Sequence, residues 1–113
     1  MSIAGLTVAH GDGDTGAIYN LGTLTLENCA ISENTAADFG AFAGAICNAG
    51  DLTILSSTIA NNVTSFAPAG ISSSNGALTL TNCTFSGNAV GGFRSAQSVV
   101  LDPPAVIEVG VVE

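Results

Sequence analysis

Aliphatic residues recur on alternate positions in three short runs: Leu24-Thr25-Leu26, Leu52-Thr53-Ile54 and Leu78-Thr79-Leu80. Alternation with period two marks a strand with one buried face. Each run is followed by a further apolar position, Ile31, Ile59 or Phe85, and three residues later by Asn34, Asn62 or Asn88. Each is preceded by Ile18, Ile46 or Ile71. Three segments therefore share one register: GAIYNLGTLTLENCAISENTA from Gly16, GAICNAGDLTILSSTIANNVT from Gly44 and GISSSNGALTLTNCTFSGNAV from Gly70. Leu52 lies 28 residues after Leu24 (52 − 24), and Leu78 lies 26 after Leu52 (78 − 52).

Each repeat predicts three short strands, near 17–20, 23–28 and 30–34, with a longer loop after the third. Gly22, Gly50 and Gly76 fall between the first two strands, where a tight turn calls for positive φ. Strands this short are not stable alone. Stacked copies solve the problem, because each strand pairs in parallel with its equivalent about 4.8 Å away. The expected fold is all-β, a right-handed parallel β-helix (β-solenoid) of about three and a half coils of roughly 26–28 residues, and three copies meet the minimum that repeat folds need. Leu6 precedes Ile18 by the 12 residues that separate Ile59 from Ile71, so LTVAHGDGDTG, 6–16, is expected to supply the third strand and its loop, a count that sets Leu6 in the Ile31 column, with Ile3 on a truncated strand before it. The coils are assigned to 1–92. Residues 93–113 lack the repeat signature and are expected to be an irregular tail, either an end cap or an out-of-frame or truncated segment. Within it, 99–101 and 106–112 are strand-like on either side of Pro103 and Pro104.

Composition narrows the partners. The 113 residues are 47% hydrophobic and 9% charged, which suits a small folded domain and excludes a disordered chain. The formal net charge is −8 and Arg94 is the sole basic residue besides His10. Nucleic acids and anionic membrane surfaces need clustered cations, so neither is an expected partner. No apolar run approaches the roughly 20 residues that span a bilayer, so membrane insertion is not expected. The first residues show no basic stretch or cleavage site, so no signal peptide is expected in this chain. Cys29, Cys47 and Cys83 have neither disulfide-framework nor zinc spacing. Cys29 and Cys83 sit two coils apart, about 9.6 Å at the strand spacing, beyond the roughly 7 Å a disulfide tolerates. Free buried thiols are the expectation.

The recurring GAI(Y/C)N and (I/F)xxN motifs, at Gly16–Asn20 with Ile31–Asn34, Gly44–Asn48 with Ile59–Asn62, and Phe85–Asn88, resemble the GGAI and FxxN repeats of polymorphic outer membrane proteins. They are also similar to the wider group of bacterial right-handed parallel β-helix repeat proteins. The resemblance covers roughly residues 3–90. It implies a secreted or cell-surface location and an adhesin-like role, in which this chain is a fragment or a much reduced member of a longer repeat protein.

Candidate chemistry is sparse. Asn34, Asn62 and Asn88 are expected to form a stacked amide ladder, with Asn20 and Asn48 forming a shorter one. The aliphatic ladders are Leu24/Leu52/Leu78, Leu26/Ile54/Leu80 and Ile31/Ile59/Phe85. The loop HGDGDTG, 10–16, offers Asp12 and Asp14 as weak ligands for Ca²⁺, but the motif occurs once, whereas calcium-binding solenoids repeat it. No cofactor is therefore expected. A glycoside hydrolase needs two carboxylates about 5–9.5 Å apart, and a lyase resembling the pectate family needs a basic proton acceptor. In register Glu27 stacks with Leu55 and Thr81, Glu33 with Asn61 and Gly87, and Asp51 with Thr23 and Ala77, so no carboxylate column forms. The outward Thr25/Thr53/Thr79 column raises ice binding, which its mixed neighbour column disfavours. Asn62-Val63-Thr64 and Asn82-Cys83-Thr84 match glycosylation sequons, and nothing is read into them.

The expectation is a non-catalytic structural or adhesive module, presenting loops such as 35–43 and 63–69. Its partners would be the rest of a parent repeat protein, a second copy through open solenoid ends, or a surface glycan or protein. The alternative is a fragment of a carbohydrate-active β-helix enzyme.

Overall fold

The computed structural model describes residues 1–12, 16–36, 44–65, 69–74 and 76–90, together with the backbone of 93–94, 99–101 and 106–109. A partial coil comes first, with β1 (Ser2–Ala4) and β2 (Thr7–Ala9). Three full coils follow. The first holds β3 (Ile18–Asn20), β4 (Thr23–Glu27), β5 (Ala30–Ser32) and β6 (Thr35–Ala36). The second holds β7 (Ile46–Asn48), β8 (Asp51–Leu55), β9 (Thr58–Ala60) and β10 (Val63–Thr64). The third holds β11 (Ile71–Ser73), β12 (Leu78–Thr81), β13 (Thr84–Ser86) and β14 (Ala89–Val90). Beyond them lie β15 (Phe93–Arg94), β16 (Val99–Leu101) and β17 (Val106–Val109).

Equivalent strands stack into four sheets. The first face is β3-β7-β11-β16, the second β1-β4-β8-β12-β17, the third β2-β5-β9-β13 and the fourth β6-β10-β14-β15. Pairing is parallel throughout, except that β15 runs antiparallel to β14. The period-two pattern sets the register. Leu24 pairs with Leu52 and Leu52 with Leu78, while Leu26, Ile54 and Leu80 form the next column. Ile31, Ile59 and Phe85 line the third face, and Ile18, Ile46 and Ile71 the first. All of these except Ile18 are buried in one continuous core. A one-residue slip would turn every one of these side chains to solvent, so the pattern admits a single register.

Two columns of left-handed residues turn the corners. Gly5, Asn28, Ser56 and Asn82 follow the second face with φ between 48° and 66°, and His10, Glu33, Asn61 and Gly87 follow the third with φ between 56° and 64°. Asn suits this region because its short side chain can bond the local backbone.

Four expectations change. Each coil has a fourth strand where loops from 35 and 63 were expected, and Ala36 and Thr64 are fully buried there. Two residues are too few to show a period in the sequence. The remainder of those loops lies outside the described residues, apart from half-buried Ser65 and buried Ala69. Val8, not Leu6, pairs with Ile31, and Leu6 is exposed. The 12-residue spacing crossed a loop, and loop length does not conserve register.

The glycine column also has a different cause. Gly22, Gly50 and Gly76 do not have positive φ. Their coils approach too closely for a side chain: a Cβ on Gly50 would sit 2.1 Å from the Gly22 carbonyl oxygen, and one on Gly76 1.7 Å from that of Gly50. Lastly, the segment after 92 is not wholly irregular, since β16 pairs in parallel with β11 and β17 with β12. These two strands cover the edges that β11 and β12 would otherwise expose.

Candidate functional site: the polar ladders and the acidic loop

Apart from Thr64 on the fourth face, the buried polar side chains described form two ladders and a corner column. Asn34, Asn62 and Asn88 are fully buried just before the fourth face. The Asn34 Nδ2 donates to Asn62 Oδ1 at 2.9 Å, and the Asn62 Nδ2 to Asn88 Oδ1 at 3.0 Å. The same oxygens accept the backbone N–H groups of Asn34 and Asn62, each at 3.1 Å. The second amide hydrogens reach back to carbonyls of the preceding coil: Asn34 to Val8, Asn62 to Ile31 and Asn88 to Ile59. Gly11 N–H donates to Asn34 Oδ1 at the upper end of the ladder.

The shorter ladder closes the corner between the first and second faces. The Asn20 Nδ2 donates to Asn48 Oδ1 at 2.7 Å, and the Asn48 Nδ2 to Ser73 Oγ at 3.0 Å. Each Asn also holds its own turn, since Gly22 N–H donates to Asn20 Oδ1 and Gly50 N–H to Asn48 Oδ1. Cys29, Ser57 and Cys83 form the third column. Ser57 donates to the Leu55 carbonyl, Cys29 to those of Glu27 and Ile3, and Cys83 to those of Thr81 and Ile54. The three cysteines are free and buried, and burial pushes the Cys47 thiol above its ordinary value. Among the described residues no buried side-chain polar atom lacks a partner.

The acidic loop is different in kind. Asp12 is exposed, and its backbone bridges to Thr35, continuing the fourth face upward by one layer. Asp14 lies outside the described residues. Among the described residues no three metal-capable side chains come together. His10 Nδ1 stands 3.8 Å from Glu33 Oε2, both well exposed at 75% and 58%, so the pair is weak. The pattern did not suggest this pair, because it depends on stacking Val8, rather than Leu6, upon Ile31. Asp51 is exposed on the second face, where its Oδ1 accepts the Ala77 N–H at 3.1 Å. Thr25, Thr53 and Thr79 stack half-buried beside Thr23, Asp51 and Ala77. The two sequons diverge: Asn62 has its amide bonded inside the core, whereas Asn82 is exposed at a corner. Among the described residues no helix is long and apolar enough to cross a membrane.

Comparison with known families fits this geometry. The right handed beta helix region family matches residues 1–100. The chain belongs to the right-handed β-helix family. No curated protein and no solved structure matches it. Right-handed β-helices include enzymes and non-enzymes, so membership fixes the backbone path and not a reaction. In this β-helix the repeated asparagines hold coil to coil, and the exposed groups that do not repeat include His10, Asp12, Tyr19, Glu33 and Asp51.

Proposed function

We propose that this β-helix is a non-catalytic structural or adhesive module of a secreted or cell-surface repeat protein, similar to the passenger repeats of polymorphic outer membrane proteins. One observation carries the reading. The recurring asparagines, Asn34/Asn62/Asn88 and Asn20/Asn48 with Ser73, are hydrogen-bonded to the neighbouring coil rather than presented outward, and the recurring polar column that does face outward, Thr25/Thr53/Thr79, is half-buried beside a mixed column. The signature that defines the repeat is thus structural. Recognition falls to the exposed, non-repeated positions between strands, which are free to differ in each coil. Partners would be further coils of a parent protein and glycans or proteins of a facing surface.

The test assays the purified chain on a panel of neutral and acidic polysaccharides for new reducing or unsaturated ends, alongside retention on immobilised glycans and cell-surface proteins. The expected result is saturable retention without turnover. Turnover that disappears in Glu33→Gln or Asp51→Asn would overturn the proposal and favour a carbohydrate-active enzyme.

A further inference from the structure

Asparagine-linked sugar transfer requires the pattern Asn-x-Ser/Thr with a middle residue other than Pro. The two matches in this chain lie in opposite phase on the coils. In Asn62-Val63-Thr64 the Asn and Thr turn inward and are both 0% exposed, while Val63 faces out. In Asn82-Cys83-Thr84 the middle residue turns inward instead. Cys83 is 0% exposed, with its thiol held by the carbonyls of Ile54 and Thr81, while Asn82 and Thr84 are both exposed. The phase follows from where each Asn sits. Asn62 comes one residue after the left-handed corner at Asn61, whereas Asn82 is itself a corner, with φ 52°.

We propose that Asn82 is an acceptor site for an asparagine-linked glycan, and that Asn62 of the folded chain is not. Three features carry this. The Asn82 amide makes no hydrogen bond among the described residues, so its nitrogen is available to react. The Asn62 Nδ2 is instead committed to the Ile31 carbonyl and to Asn88 Oδ1, each at 3.0 Å. Thr84, whose hydroxyl a transferase reads together with the amide, faces out two residues on. The surface beside the pair is open, because the outward positions of β9 and β13 are Thr58, Ala60, Thr84 and Ser86, all small and uncharged. The corner lies on the flank of the solenoid, so coils stacked above or below leave it exposed.

The donor class is a sugar diphosphate, nucleotide-linked or lipid-linked. The Asn82 Nδ2 forms a bond to the anomeric carbon, and the bond from that carbon to the phosphate oxygen breaks. The diphosphate leaves with the electron pair, and the amide gives up one proton. The secreted or cell-surface reading bears only on where the chain would meet its donor. Transfer to the purified chain does not depend on it, so the two fail separately.

The experiment incubates the folded full chain with a soluble asparagine transferase and a nucleotide diphosphosugar. A second arm uses a detergent-solubilised membrane transferase and a lipid-linked oligosaccharide. Peptides of residues 59–65 and 79–85 are substrates in both arms, since each sequon is open outside the fold. Intact mass and peptide mapping read the product. Transfer to Asn82 is expected in at least one arm, which identifies the donor, and both peptides should accept the sugar there. In the folded chain Asn82 should react at least about a hundredfold faster than Asn62, which is reached only when its coil opens. Thr84→Ala should leave thermal unfolding nearly unchanged and cut transfer at least about tenfold, and Thr84→Ser should restore it. No transfer to the folded chain in either arm would overturn the proposal. So would equal rates at Asn62 and Asn82 in the folded chain, or undiminished transfer to Thr84→Ala.

Discussion

A single asparagine illustrates how the chain holds together. Asn62 donates to Asn88 and to the Ile31 carbonyl while accepting twice from Asn34. Asn62→Ala would strand those buried partners, and a loss of about 2–4 kcal/mol is expected from urea unfolding. The glycine column makes a sharper comparison, because three equivalent positions differ only in what lies above them. Gly76→Ala would drive a methyl into the Gly50 carbonyl and should cost about 3 kcal/mol or more by the same measurement. Gly22→Ala meets nothing and should cost less than about 1 kcal/mol. That the asparagines stack was legible from their recurrence three residues after an apolar position. The reason for the glycines was not, because a close backbone approach and a left-handed turn leave the same mark in a sequence. The left-handed corners fell on Asn28, Ser56 and Asn82 instead, where Ser breaks the pattern that would have revealed them.

At the scale of the strand, alternation was sufficient wherever a strand was long enough to alternate. Leu24-Thr25-Leu26 and its copies placed the second face and its register directly. The fourth face, built on Thr35–Ala36, Val63–Thr64 and Ala89–Val90, was invisible because two residues carry no period. The partial first coil was legible in outline and misplaced in detail: Thr7-Val8-Ala9 alternates, but a count taken across a loop favoured Leu6. The third face has its largest buried side chain in β13, where Phe85 replaces the Ile31 and Ile59 of its column. Phe85→Ala would leave a cavity that a parallel ladder cannot close without shifting its neighbours. A loss of about 3–5 kcal/mol in unfolding free energy is expected. Thr84→Ala on the outward side of the same strand should change it by less than about 0.5 kcal/mol.

At the scale of the molecule, stacking supplies the core and net charge supplies repulsion between copies. The net charge of −8 at neutral pH opposes edge-to-edge association of the outer strands. As pH falls toward about 4.1, where the composition balances positive and negative charge, that repulsion disappears. Light scattering should therefore rise steeply between about pH 5 and 4 and fall again on return to neutral pH. The family and the coil plan were legible because every coil restates them. Function was legible only as far as the repeat allowed, since the groups that differ between coils occur once and carry no pattern. The central claim is that the recurring asparagines hold coil to coil while their neighbours merely turn the corners. The adjacent pair Asn61 and Asn62 tests it within one molecule, by NMR hydrogen exchange of the side-chain amides. Asn62 should exchange at least about a hundredfold more slowly than exposed Asn61, with Asn34 slow alongside it and Asn28 and Asn82 fast. Equal rates for Asn61 and Asn62 would contradict the buried ladder and the register built upon it.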